Sequence, residues 1–204
     1  MTRIIAGQAK GRRLTVPRAG TRPTSDRVRE SMFASIESKL SAQGRQWTEM
    51  SVCDLWAGSG AVALEAWSRG SVRVLAIDKS KPAVGVIAGN IEGVGAVGVS
   101  VLRANVASVV MSPPPVGPFD LVFADPPYEV AESSVAADLA SARESGWFAA
   151  DAWVVVERAV RSGSPFPEFV TEVEQRTYGD TALWYGRVPE EQGVAGANSA
   201  VRST

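Results

Sequence analysis

The sequence predicts an α/β fold, a mostly parallel sheet wound on both faces by helices, and three observations carry that prediction. From residue 50 onward, short β-branched runs alternate with segments of helical periodicity, the pattern of right-handed β-α-β crossovers. The first of these runs ends in a small-residue turn, Ala57-Gly58-Ser59-Gly60, where glycines let the backbone approach a ligand. A later run, Leu121 to Ala124, is apolar throughout and stops at Asp125-Pro126-Pro127-Tyr128, as a fully buried strand does.

In chain order, Arg3–Ala6 and Arg12–Val16 have β character and flank Gly7-Gln8-Ala9-Lys10-Gly11, so a β-hairpin with a basic tip is expected first. Pro17 to Pro23 reads as a linker. Thr24 or Ser25 can cap a helix that begins at Asp26. Along it Val28, Met32, Ile36 and Leu40, with Phe33 beside them, make one apolar face, and Gly44 ends the pattern. Met50–Leu55 is the next strand and Ala61 to Arg69 its crossover helix. Arg73–Ile77 is a strand closed by Asp78, and Pro82 lies near the start of the following helix, where a missing N–H costs nothing. Gly98–Leu102 is a strand, followed by Arg103-Ala104-Asn105 and a short helix over Val106–Met111. After the strand that ends at Asp125 come a helix near Ser133–Ser145 and a strand over Ala152–Glu157. Phe169–Thr177 and Thr181–Val188 read as an antiparallel hairpin around Gly179-Asp180. The expected whole is a seven-stranded, mostly parallel sheet with a C-terminal antiparallel hairpin and a small N-terminal β-hairpin extension. Three parts follow: residues 1–22 as hairpin and linker, 23–188 as the sheet domain, and 189–204 as a polar Gly/Ala/Ser-rich tail expected to be disordered.

Composition narrows the chemistry. The 204 residues include one cysteine, Cys53, and no histidine. This excludes an intrachain disulfide framework and a multi-cysteine zinc site, Ser-His-Asp and Cys-His catalysis, and His-based metal sites. Carboxylates, backbone groups or a cofactor must carry any reaction, and no metal is expected. Hydrophobic content is 45% and charged content 21%, ordinary for a globular protein. No apolar run approaches the ~18 residues of a membrane span, and Met1-Thr2-Arg3-Ile4-Ile5 lacks the apolar core of a secretory signal. A cytoplasmic, monomeric protein without a membrane partner is expected.

Charge is unevenly spread. Net charge is −1, yet residues 1–30 carry eight basic groups against two acids, so a +6 arm sits on a −7 body. Such an arm suits a polyanion, and its glycines and turn residues suit a phosphate backbone; a solvated charged face is the plainer alternative. The candidate contacts are Arg3, Lys10, Arg12, Arg13, Arg18, Arg22 and Arg27.

Two stretches carry the candidate site. Asp54-Leu55-Trp56-Ala57-Gly58-Ser59-Gly60 joins a strand to a helix, and Asp78 ends the next strand, where an acid can accept both hydroxyls of a ribose. The turn reads G-S-G-A-V-A, close to a dinucleotide turn with Ala63 at the third glycine position. Asp54, however, would repel a pyrophosphate and suits a cationic amino or sulfonium group, which favours S-adenosylmethionine over a dinucleotide. Asn105 can bond an adenine edge or cap the helix that follows it. Glu65 reads as a solvated or capping acid, and Cys53 as a buried structural residue. The second stretch is Asp125-Pro126-Pro127-Tyr128. Neither proline has an N–H and both have φ near −65°, so the loop is stiff. Asp125 and the Pro126 carbonyl can accept the two hydrogens of a planar amine while Tyr128 stacks on its base. A strand-to-helix loop capped by Asp125, with Tyr128 as packing, is the plainer alternative.

Asp54-Leu55-Trp56-Ala57-Gly58-Ser59-Gly60, Glu65-Ala66, Asp78 and Asp125-Pro126-Pro127-Tyr128 together resemble the class I S-adenosylmethionine-dependent methyltransferases, which are Rossmann-like. The last four residues match the (D/N)-P-P-(Y/F) signature of those that methylate exocyclic amines. Arg3-Ile4-Ile5-Ala6-Gly7, Lys10-Gly11-Arg12 and Arg22-Pro23-Thr24-Ser25-Asp26-Arg27-Val28-Arg29-Glu30 are similar to the RsmD family over about residues 3–188. That resemblance implies methylation of the N2 amine of a guanine in 16S ribosomal RNA, with the RNA in an assembled or assembling small subunit as partner and S-adenosylhomocysteine as product. It departs from the broader class at Asn105, where many relatives place an acid, and at Trp56, where Phe or Cys is commoner; Trp56 reads as packing. Two rivals share these motifs: an amine methyltransferase of DNA adenine or cytosine, and a non-catalytic RNA-binding assembly factor. Cytosine C5 methylation needs a cysteine nucleophile, and Cys53 lies on a strand expected to be buried.

Overall fold

In a computed structural model of the protein, residues 2–17 and 25–190 are described. Arg18, Arg22, Thr24 and the tail from 191 therefore lie outside the described residues, as does most of the expected linker.

The N-terminal hairpin pairs β1 (Thr2–Arg3) with β2 (Arg13–Leu14). Its strands are shorter than expected for a physical reason. The amides of Ile5 and Ala6 leave the ladder and donate to the carboxylate of Glu65, at 2.6 and 3.0 Å. Ile4, Ala9 and Leu14 point into the core, so the hairpin is packed onto the body as well as bonded to it. Helix α1 (Asp26–Ala42) is capped by Ser25, whose hydroxyl accepts the Val28 N–H. Its expected apolar face is buried, and Arg29 is buried with it.

The main sheet comprises β3 (Ser51–Leu55), β4 (Arg73–Asp78), β5 (Val99–Arg103), β6 (Phe119–Ala124), β7 (Phe148–Ala159), β8 (Thr171–Tyr178) and β9 (Thr181–Val188). Their order across the sheet is β5-β4-β3-β6-β7-β9-β8, parallel from β5 to β7 and antiparallel beyond. The order reverses direction between β3 and β6, the switch point at which open α/β sheets open a crevice. Strand β7 starts earlier than the sequence suggests, through an irregular stretch where Asp151 has φ 57° and the pairing with β6 shifts register. Helix α4 (Val106–Val109) is shorter than expected, a single turn.

Side chains alternate cleanly between two cores. On β6, Leu121 and Phe123 face the core shared with α1, α2 (Ala61–Arg69) and α3 (Lys81–Val94), whereas Val122 and Ala124 face α4 and α5 (Glu132–Glu144). Strands β3 and β7 follow the same rule, with Val52 and Val155 on the first face and Cys53 and Val154 on the second. Cys53 is fully buried opposite Val122, and burial pushes its thiol pKa up, so it is structural as expected. Among the described residues no helix is long and apolar enough to cross a membrane.

Candidate active site

The alternation that builds the core also aims the acids. Asp54, Asp125 and Glu157 each fall on the face toward α1 and α2, at the carboxyl ends of β3, β6 and β7, and Asp78 ends β4 beside them. All four line one cleft of about 420 Å³. The glycine turn and the Asp125-Pro126-Pro127-Tyr128 loop, 65 positions apart along the chain, are its two walls.

On the first wall Trp56, Gly58 and Gly60 all have positive φ, at 59°, 56° and 74°. The turn is held by Ala57 N–H donating to Ile77 O and Gly58 N–H donating to Asp78 Oδ2, both at 2.9 Å. The other oxygen of Asp78 accepts the Ser80 N–H at 2.8 Å, so this one acid sets the turn against the start of α3. Gly60 sits behind the wall: a Cβ there would meet Ile87 Cγ2 at 3.1 Å, so its lack of a side chain lets α2 and α3 close together. Ala57, Gly58 and Ser59 line the cleft directly. Asp54 is 2% exposed and accepts the Ala63 N–H at 3.1 Å. Burial pushes its pKa up to about 7, an effect eased by the Ala63 amide and added to by the charge of Asp78. A cation in the cleft relieves that penalty.

On the second wall the loop is braced from beneath. The Pro127 carbonyl accepts the Val130 N–H at 3.0 Å and a long contact from Arg158 Nη1 at 3.4 Å, while Arg158 Nη2 donates to the Val130 carbonyl at 2.6 Å. Among the described residues the Pro126 carbonyl accepts no hydrogen bond. Asp125 is partly buried; burial, then the charges of Glu157 and Asp54, raise its pKa well above the ordinary carboxylate range, and Arg158 offsets part of that. Tyr128 is 61% exposed at the mouth, an open face rather than a packed one.

Asn105 stands elsewhere. Its side-chain oxygen accepts the Ala107 N–H at 3.1 Å, so of the two sequence readings the structure displays the helix cap, and Asn105 is outside the cleft lining. Glu65 corrects an expectation. It is neither solvated nor a cap, being fully buried, bonded to the hairpin amides and ion-paired with Arg69 at 3.0 Å. Hydrogen bonds to a charged group contribute roughly 1.5–3 kcal/mol each, which is enough to hold the hairpin down. Gly7 closes the same contact: with φ 79°, any Cβ would overlap the Ser68 carbonyl at 1.8 Å.

Three cleft residues escape sequence reasoning. Trp56 lines the cleft as well as packing against the core. Arg29 is buried at the cleft wall, bonded to Thr2 Oγ1, the Arg3 carbonyl and Asp26, and among the described residues its Nε has no partner. Glu157 ends an apolar run, as Asp125 does, and that shared pattern was the available signal. Of the basic residues, Arg3, Lys10, Arg13 and Arg27 are exposed, and Arg12 is exposed but donates to the Gly93 carbonyl.

Comparison with known proteins agrees with this fold. The family described as "Conserved hypothetical protein 95" matches residues 2–187. "Ribosomal RNA small subunit methyltransferase D" of Escherichia coli (strain K12) is 32% identical over 164 residues, 80% of this chain and 77% of that one. The solved structure of yhhF from Escherichia coli superposes with a TM-score of 0.76 at 30% identity, covering 92% of this chain and 98% of that one. An RNA methyltransferase from Salinibacter ruber, solved with S-adenosyl-L-homocysteine, shares the fold at a TM-score of 0.60 and 16% identity, covering 83% of this chain and 95% of that one.

Proposed function

The chain belongs to the RsmD family of S-adenosylmethionine-dependent methyltransferases, and from that premise we propose that it methylates the exocyclic N2 amine of a guanine in 16S ribosomal RNA. The observation that carries this reading is the convergence of Asp54, Asp78 and the Asp125-Pro126-Pro127-Tyr128 loop on one cleft at the switch point of the sheet.

The donor set fits the cofactor. Five acids, Asp54, Asp78, Asp125, Glu129 and Glu157, outweigh Arg29 and Lys79 around the cleft, which suits a molecule bearing a sulfonium and an ammonium group. S-adenosylmethionine supplies an already activated methyl group. Asp54 faces the cationic end, Asp78 keeps acceptor capacity for ribose hydroxyls beyond its two amide bonds, and Ala57, Gly58 and Ser59 offer a close backbone wall. A guanine amine is a weak nucleophile because its lone pair is delocalised into the ring. Asp125 and the Pro126 carbonyl take its two hydrogens and turn the lone pair out of the ring plane toward the methyl. Asp125 then stabilises the positive charge that develops on nitrogen during attack, and one of the two amine protons is released to Asp125 or to water. The rest of the gain is alignment of the reacting atoms. The base leaves its stack to enter the cleft, and exposed Tyr128 replaces the lost stacking.

Arg3, Lys10, Arg13 and Arg27 are proposed phosphate contacts, with Arg12, Arg18 and Arg22 from the same basic arm. Residues 1–22 act as the RNA-recognition element of the 23–188 catalytic domain, and the substrate is the RNA of an assembled or assembling subunit. The test is transfer of labelled methyl from S-adenosylmethionine to small subunits from a strain lacking the enzyme, followed by nucleoside analysis. N2-methylguanosine is expected. Methylated adenine or cytosine in DNA instead would favour the DNA rival, and RNA binding without transfer the assembly factor.

A further inference from the structure

We propose that Glu157 reads the Watson–Crick edge of the target base, accepting the guanine N1–H next to the amine held by Asp125. This rests on the guanine-N2 reading above and explains how the site could select guanine.

The placement comes from the sheet. Strands β6 and β7 are parallel, and Ala124 is paired with Val156. Glu157 is the next residue on β7 and Asp125 the first residue past β6, and these neighbouring strands run about 4.8 Å apart. Phe123 and Val155, two residues earlier, share one core face, so both acids point to that face and into the cleft, whose lining includes each of them. Arg158, one residue on, faces the other way and braces the loop through Pro127 and Val130. Glu157 is 7% exposed, and its charge reaches Asp125, whose proton affinity rises through burial first and Glu157 second.

The chemistry follows from what each base offers. Asp125 and the Pro126 carbonyl accept hydrogens from any exocyclic amine, so alone they do not tell guanine from adenine or cytosine. Beside its amine, guanine has a ring N1–H donor, whereas adenine N1 and cytosine N3 are acceptors. An ionised carboxylate only accepts. Glu157 therefore rewards guanine with a charge-assisted bond and sets a desolvated negative charge against the ring lone pair of the other two. Sites built to bond a particular hydrogen reject analogues lacking it by large factors.

The test uses small subunits reconstituted with guanine or 2-aminopurine at the nucleotide identified above. 2-Aminopurine keeps the 2-amine and replaces N1–H by a lone pair. The wild-type enzyme is expected to lose at least about 100-fold in kcat/KM on 2-aminopurine. Glu157→Gln, whose amide both donates and accepts, should narrow that ratio below about 10-fold, a shift that a merely structural role would not produce. If Glu157→Gln fails to fold by thermal melt, Glu157→Asp carries the same comparison, its ratio narrowing through slower transfer to guanine. Equal wild-type rates on the two bases, or a variant that keeps the wild-type ratio, would overturn the role of Glu157 alone. A wild-type enzyme that methylates neither base at N2 would overturn the guanine reading as well.

Discussion

Strand β6 carries an acid at each end, and the two are treated in opposite ways. Asp120, near the start, accepts the Ser51 N–H and the Ser51 hydroxyl, both at 2.8 Å, and is ion-paired with Arg45. Burial alone would raise its pKa, but these bonds and the Arg45 charge together hold it below the ordinary carboxylate range. Asp125, just past the other end, has other acids for neighbours, and burial, Glu157 and Asp54 push it up. A paired acid has its acceptors filled by the protein and ties elements together. An acid crowded by acids keeps acceptors for a ligand and is destabilised without one. The same strand thus serves stability at its amino end and chemistry at its carboxyl end.

The sharpest break of this comparison is Asp125→Asn. It should lower kcat by about 10³-fold, the scale of removing a positioned electrostatic group, without lowering the melting temperature. Cofactor affinity by calorimetry should change by less than about threefold; a variant with near-normal turnover contradicts the role. Asp120→Asn should do the reverse. A cost of about 1–3 kcal/mol in denaturant unfolding is expected, with turnover of the folded fraction unchanged. Because the folded pKa of Asp120 is depressed, its contribution is present above the ordinary carboxylate range and is lost as pH falls below that range through the lowered folded value.

The smallest effect sharpens the comparison within the cleft. Asp54 has a folded pKa raised to about 7, so ionising it costs the empty protein stability as pH climbs from the ordinary carboxylate range toward that value. A bound cation favours the ionised form and expels the proton. Affinity for S-adenosylmethionine should therefore be full above that pH and fall by about tenfold per unit below it, with proton release on binding. Asp54→Asn should flatten this profile; a wild-type profile that is already flat between pH 6 and 8 would remove Asp54 from contact with the cation.

The strand ends were legible because their signal is local. An apolar run that stops at an acid marks a buried strand and its carboxyl end together, which placed Asp78 and Asp125, and Asp54 came with the turn that follows it. Glu157 had the same signature, but no glycine turn or proline pair stood beside it to suggest a role. Asn105 was ambiguous from sequence because cap and adenine contact ask for the same short polar side chain; the structure displays the cap bond and leaves Asn105 out of the cleft lining. The hairpin was visible as a glycine-bounded basic turn, yet its strand lengths were misread, since the carboxylate that diverts the Ile5 and Ala6 amides is 60 and 59 positions away from them.

By itself the sequence determined the alternation of strands and helices, the turn chemistry and which carboxylates end the central strands, because periodicity, glycine and proline act over a few residues. Tertiary structure alone decided that Glu65 is the anchor of the hairpin, that Arg29 lies buried at the cleft wall, and that Glu157 stands beside Asp125. Those facts depend on strand order and helix docking. A charge is buried or paired only by groups that the folded chain brings to it from far along its length.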